Sequence, residues 1–284
     1  MIGLEDLKAH HDFDASHQRV EAVVDHIVND PIERVRVLAN YTSWNGFFGA
    51  GVAALAGKIG RSRRMFLDPD QPIRAVADRS VLVASYFFDA ARDEFDDSTT
   101  QQRDTHRCLA QAFIAGLIKY GAEAEGVAPL ADVEQVNALL VEPEWLKSLN
   151  DQVAYGYGAR GNDTALAVFR AMGYHLGSEV LADVEFSVLD EKLTAKEPAL
   201  TAYLKNTELE VAGEKHVPYA WLEVHSGHGG GAEADHFEWA ARGVERAFDY
   251  TPKDQHEELR HQVVSGFEDF AKDHDEFFAR VLKD

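Results

Sequence analysis

Cysteine is almost absent, with Cys108 the single example in 284 residues. One thiol excludes an internal disulfide framework and a thiolate zinc cluster, and it fits a reducing compartment. Any metal must therefore sit on histidine and carboxylate. Long apolar runs are also missing: no stretch of about 18 apolar residues occurs. The opening MIGLEDLKAHHDFD has neither a basic leader nor an apolar h-region. Secretion and membrane spanning are not expected, and the predicted location is cytoplasmic. Basic charge is scarce, with 28 Lys and Arg against 49 Asp and Glu, a formal net charge of −21. Such a surface repels phosphate backbones and anionic lipid, and RSRR at 61–64 is short and isolated. Neither nucleic acid nor membrane is an expected partner.

Period-two alternation is missing too, whereas apolar residues recur at helical spacing almost throughout, which predicts an all-α protein. The spacing places helices near 14–29, 32–58, 72–95, 104–122, 130–140, 143–155, 163–192, 197–206, 215–227, 233–249 and 253–282. All 8 prolines fall near proposed helix ends, where a missing amide donor does least harm. No fixed-period repeat and no linker rich in Pro, Gly or Ser divides the chain. One helical domain over 1–284 is the simplest organisation.

The long segment 164–192 carries acids on its apolar side. At roughly 100° per residue, Met172, Leu176, Val180 and Val184 fall within about 60° of Phe169 and define a buried stripe. Glu179 lies about 80° from Phe169 and Asp183 about 40°, on that same side, whereas Glu185 falls near 160° and should be solvated. A carboxylate turned into a core needs a partner, either a metal ion or an arginine on a neighbouring helix. Asp183 is better suited to a helix-to-helix hydrogen bond than to direct ligation. His175, one turn before Glu179, is a supporting candidate.

A second acid and imidazole pair stands at a polar interruption between two apolar helices, VLVASYFFDAARDEFDDSTTQQRDTHRCLAQAFIAG. Glu94 closes the first and His106 opens the second. Taken singly, DEFDD reads as a solvated acidic end and His106 as a capping or core histidine. A third group lies in WLEVHSGHGGGAEADHFEWA, residues 221–240. His225 ends one helical stretch, and Glu233 with His236 opens the next at a spacing that puts both on one face. The glycines between them free the backbone to turn, or mark an ordinary surface loop with incidental histidines. Together the three groups bring carboxylates and imidazoles from three helical regions to apolar faces. Such a donor set suits iron or manganese with an open position for oxygen or substrate.

The segments DEFDD…THRCLAQAF, LGSEVLADVEF and WLEVH…EADHFEWA resemble the three metal-binding core helices of the heme-oxygenase-like diiron oxidases and oxygenases. The resemblance covers roughly residues 80–245 and implies a compact heme-oxygenase-like helical bundle without heme. It implies Glu94, His106, Glu179, His225, Glu233 and His236 as ligands, and the helical positions of Asp183 and His175 make them supporting candidates. The family sets its first third-helix His four residues before the acid, whereas His225 precedes Glu233 by eight. That departure leaves His228 as the second choice for His225, and Asp235 for Glu233. The implied cofactor is a pair of irons cycling between Fe2+ and Fe3+, with dioxygen as co-substrate. The implied reaction is N-oxygenation, desaturation or cleavage of a small amino-acid-like or fatty-acid-like molecule. An external electron donor and a homodimer are compatible partners. Phe87, Phe88, Phe113, Tyr174, Tyr219 and Trp221 are candidate pocket walls, or plain core.

Three rival readings remain at this point. A ferritin-like di-metal bundle needs E-x-x-H on two helices, and Glu258 with His261 offers a second pair, although the apolar face of its helix turns both away. A metal-free TenA-like hydrolase or cofactor-free quinone-forming oxidase would use the inward acids and histidines for proton transfer, but Cys108 makes a poor nucleophile. A non-catalytic helical binding protein would leave every histidine incidental.

Overall fold

A computed structural model describes residues 4–97, 100, 104–226 and 232–283, with the side chains of 4, 183 and 232–235 outside the description. The chain is an all-α bundle around one continuous apolar core. Helices α1 (Leu4–Lys8), α2 (Phe13–Ile27), α3 (Pro31–Asn45) and α4 (Phe48–Arg61) lead into α5 (Ser80–Phe95) and α6 (His106–Glu123). Then come α7 (Val133–Leu139), α8 (Glu144–Gly156), the long α9 (Ala165–Lys196) and α10 (Pro198–Asn206). Helices α11 (Ala220–His225), α12 (Ala232–Asp249) and α13 (His256–Arg280) complete the chain. No described helix is long and apolar enough to cross a membrane.

Helix starts follow the capping residues. Asp30 accepts from the amides of Ile32 and Glu33 ahead of Pro31, Thr105 accepts from Cys108 N at 3.1 Å, and Thr164 accepts from Ala167 N at 3.3 Å. The predicted helix 32–58 is two helices, broken at Gly46–Phe47. Arg107 Nη1 donates to the Thr42 carbonyl at 2.7 Å beside the break, and a Cβ on Gly46 would stand 2.7 Å from that nitrogen. The helix expected from 215 starts later, at Ala220. Before it, strands β1 (Leu209–Val211) and β2 (Glu214–His216) form an antiparallel hairpin. Its turn residues Ala212 and Gly213 take φ of 56° and 87°, the twist that a two-residue hairpin requires.

Helix α9 is the axis of the bundle. It packs against α13, α12, α2 and α11, and its apolar residues are spread around the circumference, as in a helix covered on all sides. The α9–α13 crossing is backbone against backbone: a Cβ on Gly173 would fall 1.9 Å from the Val263 carbonyl oxygen, and one on Gly266 would fall 1.8 Å from that of Arg170. This all-round cover corrects the expectation that Glu185 is solvated. Glu185 is buried, accepts from the Tyr41 hydroxyl of α3, and lies 2.9 Å from His274 Nε2 of α13.

Candidate metal centre

The last turn of α5 carries Asp93 and Glu94, and Asp97 follows the Asp96 cap of that helix. Glu94 has room because residue 49 of the neighbouring α4 is glycine; a Cβ there would stand 2.8 Å from Glu94 Cβ and 2.9 Å from Oε2. The Thr105 cap makes His106 the first residue of α6 and aims it back at α5. His106 Nδ1 lies 3.4 Å from Glu94 Oε1, and Nε2 lies 2.9 Å from Asp97 Oδ2.

His225 ends α11, with Nδ1 2.6 Å from the Trp221 carbonyl oxygen one turn earlier. A carbonyl only accepts, so Nδ1 carries the hydrogen and the lone pair resides on Nε2. The imidazole stacks on Phe186 at 4.1 Å and 12°, and meets the His106 ring edge-on at 4.5 Å. Ligand atoms of Glu94, His106 and His225 all lie within 4.8 Å of one another, as do those of Asp93, Asp97 and His106. Both groups have the spacing that a cation could close.

A second half lies against the first. Glu179 on α9 is buried, with Oε1 3.2 Å from His175 Nδ1 and Oε2 3.6 Å from His236 Nδ1. His236 Nε2 in turn lies 3.5 Å from Asp93 Oδ2. Consecutive residues Asp93 and Glu94 therefore join the two halves. His175 is backed by Ser178, whose hydroxyl accepts from Tyr157 at 2.7 Å.

Burial pushes the Glu94 carboxyl up, but the combined charges of His106, His225 and His236 outweigh it and hold the group below its usual range. For His106, burial pulls the imidazole down, and Glu94 with Asp97 overcomes that and raises it to about 10. The two flanking carboxylates thus favour the charged form of the imidazole. Among the described residues, Glu179 Oε2 is buried and makes no hydrogen bond, with His236 Nδ1 3.6 Å away. A buried carboxylate oxygen left in that condition is costly, and a cation beside it would remove the cost. The donor set of carboxylate and imidazole matches the preference of iron or manganese.

Of the residues singled out in the sequence, Glu94, His106, Glu179, His225 and His236 come together. His175 stands beside Glu179. His228 lies outside the described residues, as do the side chains of Glu233, Asp235 and Asp183. Asp93 and Asp97 are not among the ligands expected from the sequence, where Glu94 is the one candidate in DEFDD. Their spacing around Glu94 is the available signal: the helix ends between them, so Asp97 turns toward His106 as Asp93 turns toward His236. Among the proposed walls, Phe87 approaches His175 at 5.8 Å and Phe113 packs on Trp221 at 5.1 Å. Tyr174 instead donates to Asp273 at 2.8 Å, and Tyr219 to Asp190. Phe88 is 58% exposed and is no wall; it falls on the outer side of α5, one residue past the inward Phe87. Glu258 and His261 are exposed on α13, so a second E-x-x-H pair does not reach the centre.

Comparison with known proteins finds no family model, no curated protein and no solved structure that matches the chain.

Proposed function

We propose that the protein is a non-heme diiron oxidase or oxygenase that uses dioxygen to oxidise a small amino-acid-like or fatty-acid-like substrate. The observation that carries this reading is the buried convergence of Glu94, His106 and His225 with Glu179 and His236, joined through Asp93. The ferritin-like alternative loses its second motif to solvent. When bound, a ferrous pair would supply the electrons that reduce dioxygen.

The chain's own residues do the holding and shaping. Glu94, His106 and His225 would hold one cation, and Glu179 with His236 would hold the other, with Asp93 between them. Asp97 accepts from His106 Nε2 and so turns Nδ1 inward, and the Trp221 carbonyl fixes the tautomer of His225. Phe186 sets the plane of the His225 ring, while Phe87, Phe113 and Trp221 keep bulk water from the inner face. A specific observation favours a metal-free acid–base enzyme as the second reading: His106 stands 3.4 Å from Glu94 and 2.9 Å from Asp97, within reach for proton exchange between imidazole and carboxylate.

Anaerobic loading with ferrous iron followed by elemental analysis and stopped-flow absorbance separates the two. The diiron reading expects about two irons per chain and an oxygen-dependent absorbance transient that Glu179→Ala abolishes. Absence of iron uptake leaves the acid–base reading.

A further inference from the structure

An open cavity of about 380 Å³ lies where the C-terminal half of α9, the end of α10 and the length of α11 meet. Asp190, Glu191, Lys205, Tyr219, Glu223 and Ser226 line it, and Ser226 is the residue directly after His225. Three features of this wall point to one ligand chemistry. The first is charge: three carboxylates face one ammonium, and Glu191 and Glu223 are exposed and make no ion pair among the described residues. The second is an aromatic face already matched to an alkylammonium, since Lys205 Nζ sits 4.2 Å from the centroid of the Tyr219 ring. Asp190 accepts from the Tyr219 hydroxyl and holds the ring in place; burial, then Asp190, push that phenol upward, so it stays neutral. The third is Ser226, only 2% exposed, whose hydroxyl has no hydrogen-bond partner among the described residues. A buried hydroxyl in that condition lacks a partner, and Ser226 is one of the residues that line the cavity.

We propose that this cavity binds the ammonium group of a small amine substrate beside the metal centre, with Glu191 and Glu223 drawing the cation in. The Tyr219 ring face then receives the ammonium in place of Lys205, and Ser226 bonds a second polar group of the same molecule. This rests on the oxidase reading and narrows its substrate range, setting aside carboxylate-headed aliphatic acids. A carboxylate headgroup would meet three acids and one lysine, whereas an ammonium gains from the acids and from the ring.

The test titrates the full metal-free chain with n-butylammonium, n-butanol and butyrate near neutral pH, following backbone amide NMR signals of the cavity residues. Butylammonium should bind about tenfold or more tightly than butanol, and butyrate should not bind, because a charge-assisted contact distinguishes the first alone. The double variant Glu191→Gln with Glu223→Gln, both exposed positions, should remove that preference. Lys205→Met should tighten butylammonium binding by removing the internal competitor; weaker binding in that variant, or butyrate matching butylammonium, overturns the proposal. Proximity is read with Mn2+ as the metal: it should broaden the butyl proton signals in the parent, and butylammonium that binds without broadening overturns the substrate role. Iron uptake with no preference for butylammonium sinks this inference alone. Preferential butylammonium binding in a chain that takes up no iron supports the cavity's ligand class and sinks the oxidase reading.

Discussion

His106 Nε2 lies 2.9 Å from Asp97 Oδ2, a buried contact that links the end of α5 to the first residue of α6. Because the carboxylate accepts there, Nε2 carries hydrogen and Nδ1 is the atom turned toward Glu94. Asp97→Asn keeps an accepting oxygen and the side-chain volume but removes the charge that raises ligand basicity. Ferrous affinity, measured by competition with a coloured chelator, should fall about 10–100-fold while far-UV circular dichroism stays unchanged. Unaltered affinity would show that Asp97 does not orient a ligand.

Gly49 makes a separate prediction for the same site. Its missing Cβ is the space in which Glu94 stands, and an approach of 2.8 Å is too close for real atoms. Gly49→Ala should therefore displace Glu94 or part α4 from α5. Chemical denaturation should show a loss of about 1–3 kcal/mol. Iron content should drop with it. Gly57→Ala, on the same helix with nothing within 4 Å of its would-be Cβ, is the control and should retain iron.

The helices, and Glu179 on the apolar side of α9, were legible because a 3.6-residue period survives wherever one face of a helix is covered. Glu185 was misread for the complementary reason: a rotation angle measured from one stripe presumes a wet opposite face, and α9 has α3 and α13 residues there instead. Asp97 was illegible because its role arises between two helices and depends on the direction in which the chain leaves α5. The hairpin at 209–216 is built from strands of three residues, too short to show alternation. Its Ala–Gly turn left only a faint mark in the sequence.

Asp273 offers a test outside the metal centre. Burial raises its carboxyl to about 6 although Tyr174 donates to it. The folded value lies above the ordinary value of 3.8. Its contribution to stability is thus fully present below that ordinary value and is lost as pH rises through about 6. Asp273→Asn removes the ionisation while keeping an acceptor for Tyr174. Relative to the parent, the variant should gain on the order of 2 kcal/mol near pH 8 and nothing near pH 3. Urea unfolding at several pH values measures the difference. A constant offset between the two proteins across that range would show that Asp273 does not titrate as its burial requires.

The α9–α13 crossing sets the position of Glu179, because α9 cannot shift while Gly173 and Gly266 keep the two backbones in contact. Either glycine changed to alanine would place a methyl group within 2 Å of a carbonyl oxygen on the opposite helix. No rotamer relieves that overlap, so the helices must separate. Gly266→Ala should cost about 3 kcal/mol or more in chemical denaturation. Because α9 also carries His175 and Glu179, the separated helix should draw Glu179 away from His236, which sits on α12. Iron affinity should then fall in the folded fraction even though no ligand has been changed. If Gly266→Ala lowers stability but leaves iron affinity at the parent value, the crossing supports the fold without positioning the site.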